Sequence, residues 1–286
     1  MTEGWPLRWD LLLRYRLIEI VALWEGRLTT NHLCKSFGIG RQQASKDINN
    51  YLREIAPGNL EYDSSIKGYK PTAAFKPAVT TGKAEEYLHL LSRNQDIAER
   101  FQGLDLGFTR TEMLQVPLRE VQPQLLRPLV QACREGSRIE VKYLSLQNPT
   151  PRSRIIAPHT LVYTPNRWHL RAWCEQNGEF RDFVLSRFRG TVKLLSRSEK
   201  TAEHDDYWNA IIPVRIVPDS RLGKAQQAVI EADYGMTDGQ LVLETRASLV
   251  EYLLQALNID TRSVAASPEA QQIVVGNLEQ VDKWRF

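Results

Sequence analysis

The chain has 286 residues, 42% hydrophobic and 25% charged, with a formal net charge of +3, which fits an ordinary soluble polypeptide of two or three domains. No apolar run approaches the roughly 18 residues of a membrane helix, and the start Met1-Thr-Glu-Gly-Trp-Pro6 lacks the basic flank and apolar stretch of a signal peptide, so a cytoplasmic location is expected. The charge is unevenly spread: residues 1–82 carry eleven basic against eight acidic side chains, residues 137–189 nine against four, and residues 199–286 eight against fourteen, so the two basic segments are expected to meet an anionic partner such as nucleic acid.

From Arg8 to Glu25 the residues Leu13, Leu17, Ile20, Val21 and Trp24 recur at three- and four-residue steps, which predicts an amphipathic helix ending near Gly26. Thr29 or Thr30 can cap a short helix with Leu33 and Phe37. After Gly38-Ile-Gly40 a third helix runs from about Arg41 to Ile55, stopped by Pro57-Gly58. Its inward stripe is Ala44, Ile48, Tyr51 and Leu52. Arg41, Gln42, Gln43, Ser45, Lys46, Asn49, Asn50 and Arg53 are left for the outer side. Any surface helix has a polar stripe, but residues 27–53 hold five basic side chains against one acidic, Asp47. Such a helix fits the major groove, where Gln and Asn pair with adenine, Arg with guanine, and Lys holds phosphate. Leu60-Tyr62 and Lys67-Lys70 then read as a hairpin wing, adding Lys67 and Tyr69 to the DNA-contacting set.

Pro71 and Pro77 bracket a linker, and residues 83–135 return to helical periodicity around an irregular stretch with Gly103, Gly107 and Pro117. From Ile139 to about Leu195 strands dominate. Period-two alternation puts Trp168, Leu170, Ala172 and Cys174 on one face of a strand and Arg167, His169, Arg171 and Trp173 on the other. Taken with Tyr143 and Ser145, and with Arg181 and Arg187 from the next strand, the polar face gathers guanidiniums whose repulsion an anion would offset. Tyr143, Tyr163, Trp168 and Phe183 offer surfaces on which bases could stack. After Pro213 the pattern is strand, helix (225–232), strand (241–245), helix (249–257), strand (273–275), with Ser248 and Glu251 as a capping box; an α+β sandwich of ferredoxin-like type fits.

An enzymatic reading finds little to stand on. His159 or His169 beside Asp182, Glu140 or Glu175 has none of the spacings of a metal or nucleophile motif, and no Gly-rich phosphate loop is present. His204-Asp-Asp206 reads as a solvated charge run in a linker. Cys34, Cys133 and Cys174 are too scattered for a disulfide framework or a zinc site and are expected to be buried. No catalytic residue, metal or cofactor is expected.

Arg167-Trp-His-Leu-Arg-Ala-Trp-Cys174 and Arg181-Asp-Phe-Val-Leu-Ser-Arg187, with Pro158-His159 before them, resemble the core of the WYL-domain transcription regulators. His169 stands where that family usually has the middle Tyr, which exchanges a hydroxyl for a titratable donor. The subgroup resembled is that of repressors of phage-defence operons of BREX and CBASS type. The resemblance implies a multidomain α+β chain: a winged helix-turn-helix over 1–82, a helical connector over 83–136, an Sm-like small β-barrel (WYL) over 137–199, and a C-terminal extension over 200–286. It implies a homodimer on double-stranded inverted-repeat operator DNA. The implied effector is anionic, a nucleotide, cyclic oligonucleotide or single-stranded nucleic acid, held by Tyr143, Ser145, Arg154, His159, His169, Arg171, Arg181 and Arg187. The alternatives are an RNA- or single-stranded-DNA-binding protein that uses the barrel as its main surface and, further off, a nuclease.

Overall fold

The computed structural model describes residues 8–100, 109, 111–112, 114, 119–147, 149–165, 167–263 and 265–285, with side chains for all of these except 93–100. The irregular stretch around Gly103, Gly107 and Pro117 lies outside them. The chain divides into two compact units, Met1–Gln115 and Val116–Phe286.

The first unit opens with α1 (Trp9–Glu25), α2 (Thr30–Phe37) and α3 (Arg41–Asn50), the last prolonged by a π turn over Tyr51–Ile55. Gly26 and Gly38 end α1 and α2 in the left-handed conformation that glycine adopts without strain. Thr29 caps α2, its amide bonding the His32 Nδ1 at 3.1 Å. The hairpin β1 (Leu60–Asp63) and β2 (Gly68–Pro71) follows as expected. It is tied to the helices through Leu28 and Tyr69, whose amides and carbonyls exchange two bonds of 2.8 Å. α4 (Ala84–Arg100) is the last helix among the described residues of the unit.

The inward face of α1 departs from the periodicity. Leu17, Ile20 and Val21 are buried as expected, but so are Tyr15, Ile18 and Ala22, whereas Leu13 and Trp24 are 37% and 38% exposed. Trp24 stacks on Tyr87 of α4 instead, at 6.3 Å between ring centroids. Because α1 packs against α2, α3 and α4, burial spreads over more than one stripe. It even takes in Glu19, which is fully buried and accepts hydrogen bonds from Tyr51 Oη, the amides of Ala78 and Val79, and Thr80 Oγ1 at 2.7–3.2 Å.

The second unit begins with α5 (Pro123–Glu135), laid across the five-stranded antiparallel sheet β3 (Ser137–Tyr143), β4 (Arg152–Thr164), β5 (Arg167–Cys174), β6 (Glu179–Val184) and β7 (Phe188–Arg197), in the order β6-β5-β4-β3-β7. Leu125, Leu129 and Ala132 of α5 close a core with Ile139, Val141, Ile156, Leu170, Ala172 and Phe188. A one-residue bulge between Pro158 and Thr160 resets the alternation of β4 at His159. A 3-10 turn (Ala202–His204) and α6 (Asp206–Asn209) lead to β8 (Ile211–Pro218), α7 (Lys224–Asp233), β9 (Leu241–Arg246), α8 (Val250–Ala256), β10 (Ile273–Val275) and α9 (Leu278–Asp282). The strand and helix alternation is the one expected, and the described strands form a three-stranded antiparallel sheet, β10-β8-β9. The expected capping box is not formed. A 3-10 turn over Ala247–Leu249 delays the helix, the Ser248 hydroxyl is buried without a partner among the described residues, and Glu251 binds Arg285 at 2.9 Å. Of the cysteines only Cys174 is buried; Cys34 and Cys133 are half-buried.

Candidate functional site

On α3 the core stripe is as expected, with Ala44, Ile48 and Tyr51 fully buried. Arg41, Gln42, Gln43, Lys46, Asn49 and Arg53 are exposed, while Ser45 and Asn50 are half-buried. Asp47, the one acidic residue, points inward to Arg14 Nε at 2.8 Å and accepts from Gln43 Nε2 at 2.7 Å. The outer row of α3 is therefore left without a carboxylate, which raises the positive potential there. Gln43 is engaged by Asp47, and Arg53 by Asn50 and Glu54 at 2.7 Å each, so these reach outward less freely than Gln42, Lys46 and Asn49. In the hairpin, Lys67 is exposed. Tyr69 is half-buried against the helical core, edge-on to Tyr62 at 5.4 Å, because its backbone forms the joint with Leu28.

The polar strand face is divided. β5 keeps the expected parity, with Leu170, Ala172 and Cys174 in the core, but Trp168 is 49% exposed beside Tyr163. Across the β5–β6 ladder Arg171 lies opposite Asp182, and Ala172 opposite Arg181. Residues directly opposite share a face, so Arg181 belongs on the other side from Arg171, where it is exposed and paired with Glu179. Tyr143 also leaves the set. It faces the core, accepts the Val184 amide at 3.0 Å and meets Phe183 and Phe188 edge-on. Ser145 is half-buried just after β3, and Arg154 is half-buried within β4, opposite Val141 of β3.

The outer face of β5 is covered by residues that follow the sheet in the chain. Arg171 donates from Nε and Nη2 to Asp205 at 2.8 and 3.0 Å, and its Nη1 meets Asp182 at 3.4 Å. A carboxylate only accepts, so His159 donates from Nε2 to the same Asp205, at 3.2 Å. Asp205 also accepts the Trp208 amide at 3.1 Å, capping α6. Burial alone would push the Asp205 carboxyl up, but the bonds from His159 and Arg171 hold it at about 2. Burial raises Asp182 against the opposing pull of Arg171 and Tyr252. The reading of His204-Asp-Asp206 as a solvated run is corrected at its middle residue: Asp205 is 1% exposed and fills the anion position of the Arg171 and His159 pair. The excess of acidic residues after 199 was the one sequence signal of an internal counter-ion.

At the other end of β5, His169 is 1% exposed and accepts from Arg167 Nε at 2.8 Å, so its proton sits on Nδ1, which finds no partner among the described residues. Burial first, then the charges of Arg167, Arg187 and Arg119, push its pKa down to about 4, and the ring is neutral at physiological pH. Arg119 and Arg167 were not among the expected ligand residues. Tyr252 of α8 straddles both halves: its ring stands edge-on to His169 at 4.7 Å and its hydroxyl donates to Asp182 at 3.1 Å. Among the described residues no group of His, Cys, Asp and Glu could hold a metal ion, and no helix is long and apolar enough to cross a membrane.

Three family profiles match: the BrxR transcriptional regulator winged helix-turn-helix domain at residues 10–93, the WYL domain at 124–192, and the BrxR transcriptional regulator C-terminal dimerization domain at 211–281. Curated relatives named DNA-binding transcriptional repressor CapW align along the whole length. The one from Escherichia coli (strain KTE188) is 36% identical over 96% of this chain and 91% of its own. Those from Pseudomonas aeruginosa and Stenotrophomonas maltophilia are 34% and 31% identical, over 96% and 97% of this chain and 91% and 93% of theirs. The chain belongs to the CapW family of DNA-binding transcriptional repressors, built from a BrxR-type winged helix-turn-helix, a WYL domain and a C-terminal dimerization domain.

Proposed function

We propose that the chain is a homodimeric repressor of a phage-defence operon that reads an inverted-repeat operator with α3 and answers to an anionic nucleotide or nucleic-acid effector at the WYL face. The domains are taken as 1–82, 83–136, 137–199 and 200–286, with the five-stranded sheet as an Sm-like barrel and the last domain as a reduced relative of the ferredoxin-like sandwich. One observation carries the DNA reading: an exposed Arg, Gln, Lys and Asn row with its only carboxylate turned inward, on a helix followed by a wing. Gln42, Lys46 and Asn49 are assigned to the groove, Arg41 and Arg53 to its edges, and Lys67 to phosphate at the wing. The effector reading is supported by Arg167, Arg187 and Arg119 around the neutral His169; among the described residues none of these guanidiniums has an ion pair.

Lys46→Glu reverses a charge on the outer row without touching the core. In footprinting of a palindromic promoter site, protection by this variant should vanish at concentrations where the wild type protects fully. Persistent protection by Lys46→Glu would remove α3 from the groove. A competition in which single strands displace the operator as well as duplex does would favour an RNA- or single-strand-binding protein instead.

A further inference from the structure

Asp205 does to Arg171 what a bound phosphate would do. It takes the Nε and Nη2 edge of the guanidinium in a two-pronged bond, the geometry in which Arg grips carboxylates and phosphates alike, and adds the imidazole of His159. The remaining nitrogen, Nη1, is kept by Asp182. Arg171 would therefore stay oriented if Asp205 left, with one edge open. Arg171 and Asp205 both line a cavity of about 580 Å³ whose walls include Trp173, Phe180, Tyr207 and Tyr252. Aromatic walls beside a guanidinium suit a planar ring carrying a phosphate.

Asp205 is also wired to the dimerization domain. Its segment is held by Asn209 Nδ2 on the carbonyls of Ala202 and Glu203, by Arg246 over the Trp208 ring at 4.4 Å, and by the Ala247 amide on the Ala210 carbonyl. Its side chain caps α6 while it grips the WYL sheet.

We propose that Asp205 is an internal stand-in for the effector: it occupies the Arg171 and His159 half of the polar face, and a phosphate attached to an aromatic base displaces it, releasing the segment 202–210 that leads into the dimerization domain. The inference rests on the reading of the WYL face as an effector site. Two carboxylates now share one guanidinium, so an incoming dianion cannot add to the cluster; it has to replace one of them. Asp182 is fixed within β6 and held by the Tyr252 hydroxyl, whereas Asp205 stands on the short segment between the sheet and β8.

The test uses the full chain, with 5′-phosphorylated tetrathymidylate, the same strand without its phosphate, thymidine monophosphate and inorganic phosphate as probes. On the wild-type protein, saturation with a phosphate-bearing thymidine probe should speed hydrogen exchange in a peptide spanning 202–210 at least tenfold, because the Trp208 amide loses its side-chain acceptor and the turn around it its anchor on Arg171. Asp205→Ser, which keeps an oxygen able to cap α6, should bind that probe at least tenfold more tightly than wild type. Adding Arg171→Gln should abolish the gain. The strand and the mononucleotide separate a chain end from a free nucleotide as the source. Binding to wild type that leaves 202–210 protected, or Asp205→Ser binding no tighter, overturns the stand-in role and leaves the effector reading intact. If neither protein binds any phosphate probe, the effector reading falls and this inference with it.

Discussion

Arg171 sits between Asp182 and Asp205, so truncating it strands two buried carboxylates. Breaking a buried pair from one side costs about 3–5 kcal/mol. Arg171→Ala should therefore lose that much stability in urea denaturation, and a variant with unchanged stability would mean that the carboxylates do not depend on it. Composition and parity alone cast Arg171 as a pure sensor residue, since nothing local to Arg167–Cys174 reveals a partner 34 residues downstream. His169 makes a second case. Its folded pKa of about 4 lies below the ordinary 6.5, so below pH 6.5 the unfolded chain takes up a proton that the folded chain refuses. Stability from this group is complete above pH 6.5 and falls as the pH drops toward 4, by about 3 kcal/mol in all. The difference in unfolding free energy between wild type and His169→Gln should change by that order across this window; a constant difference would show that His169 titrates normally in the folded state.

Elements were legible where burial is one-sided. The stripe of α3 and the core face of β5 are evident from spacing, and so is the hairpin from its turn residues. What spacing could not give is the phase between strands: one residue more or less in the Glu175–Gly178 turn would exchange Arg181 and Asp182 between faces. Nor could it give the face of α1, a helix covered on several sides, which buries an ionisable residue at position 19. Four donors from two parts of the unit, Tyr51 and residues 78–80, converge on the Glu19 carboxylate. Orphaned buried donors cost roughly 1–3 kcal/mol each, offset in part by water entering the gap. Glu19→Ala should thus lower stability by at least about 3 kcal/mol in thermal or urea unfolding and lower operator affinity only through the folded fraction. A variant that is fully folded yet deficient in DNA binding would assign Glu19 to recognition instead.

For the whole molecule, two-fold symmetry in a dimeric repressor demands two-fold symmetry in its operator, with half-sites about one turn or a multiple apart. Inserting 5 bp between half-sites turns them to opposite faces of the duplex, and affinity should fall toward that of a single half-site, roughly a hundredfold or more in an electrophoretic shift titration. An unchanged affinity would argue for monomer binding. The charge along the chain is basic before and within the WYL domain and acidic after it, and the acidic excess includes Asp205, the counter-ion of Arg171. Glu19 carries a last consequence. One carboxylate on the core helix α1 grips Tyr51, which follows α3, and the backbone of residues 78–79, ahead of α4. That crossing has no slack. A torque applied at residues 78–80 would reach α3 without first being spent on straightening a loose tether.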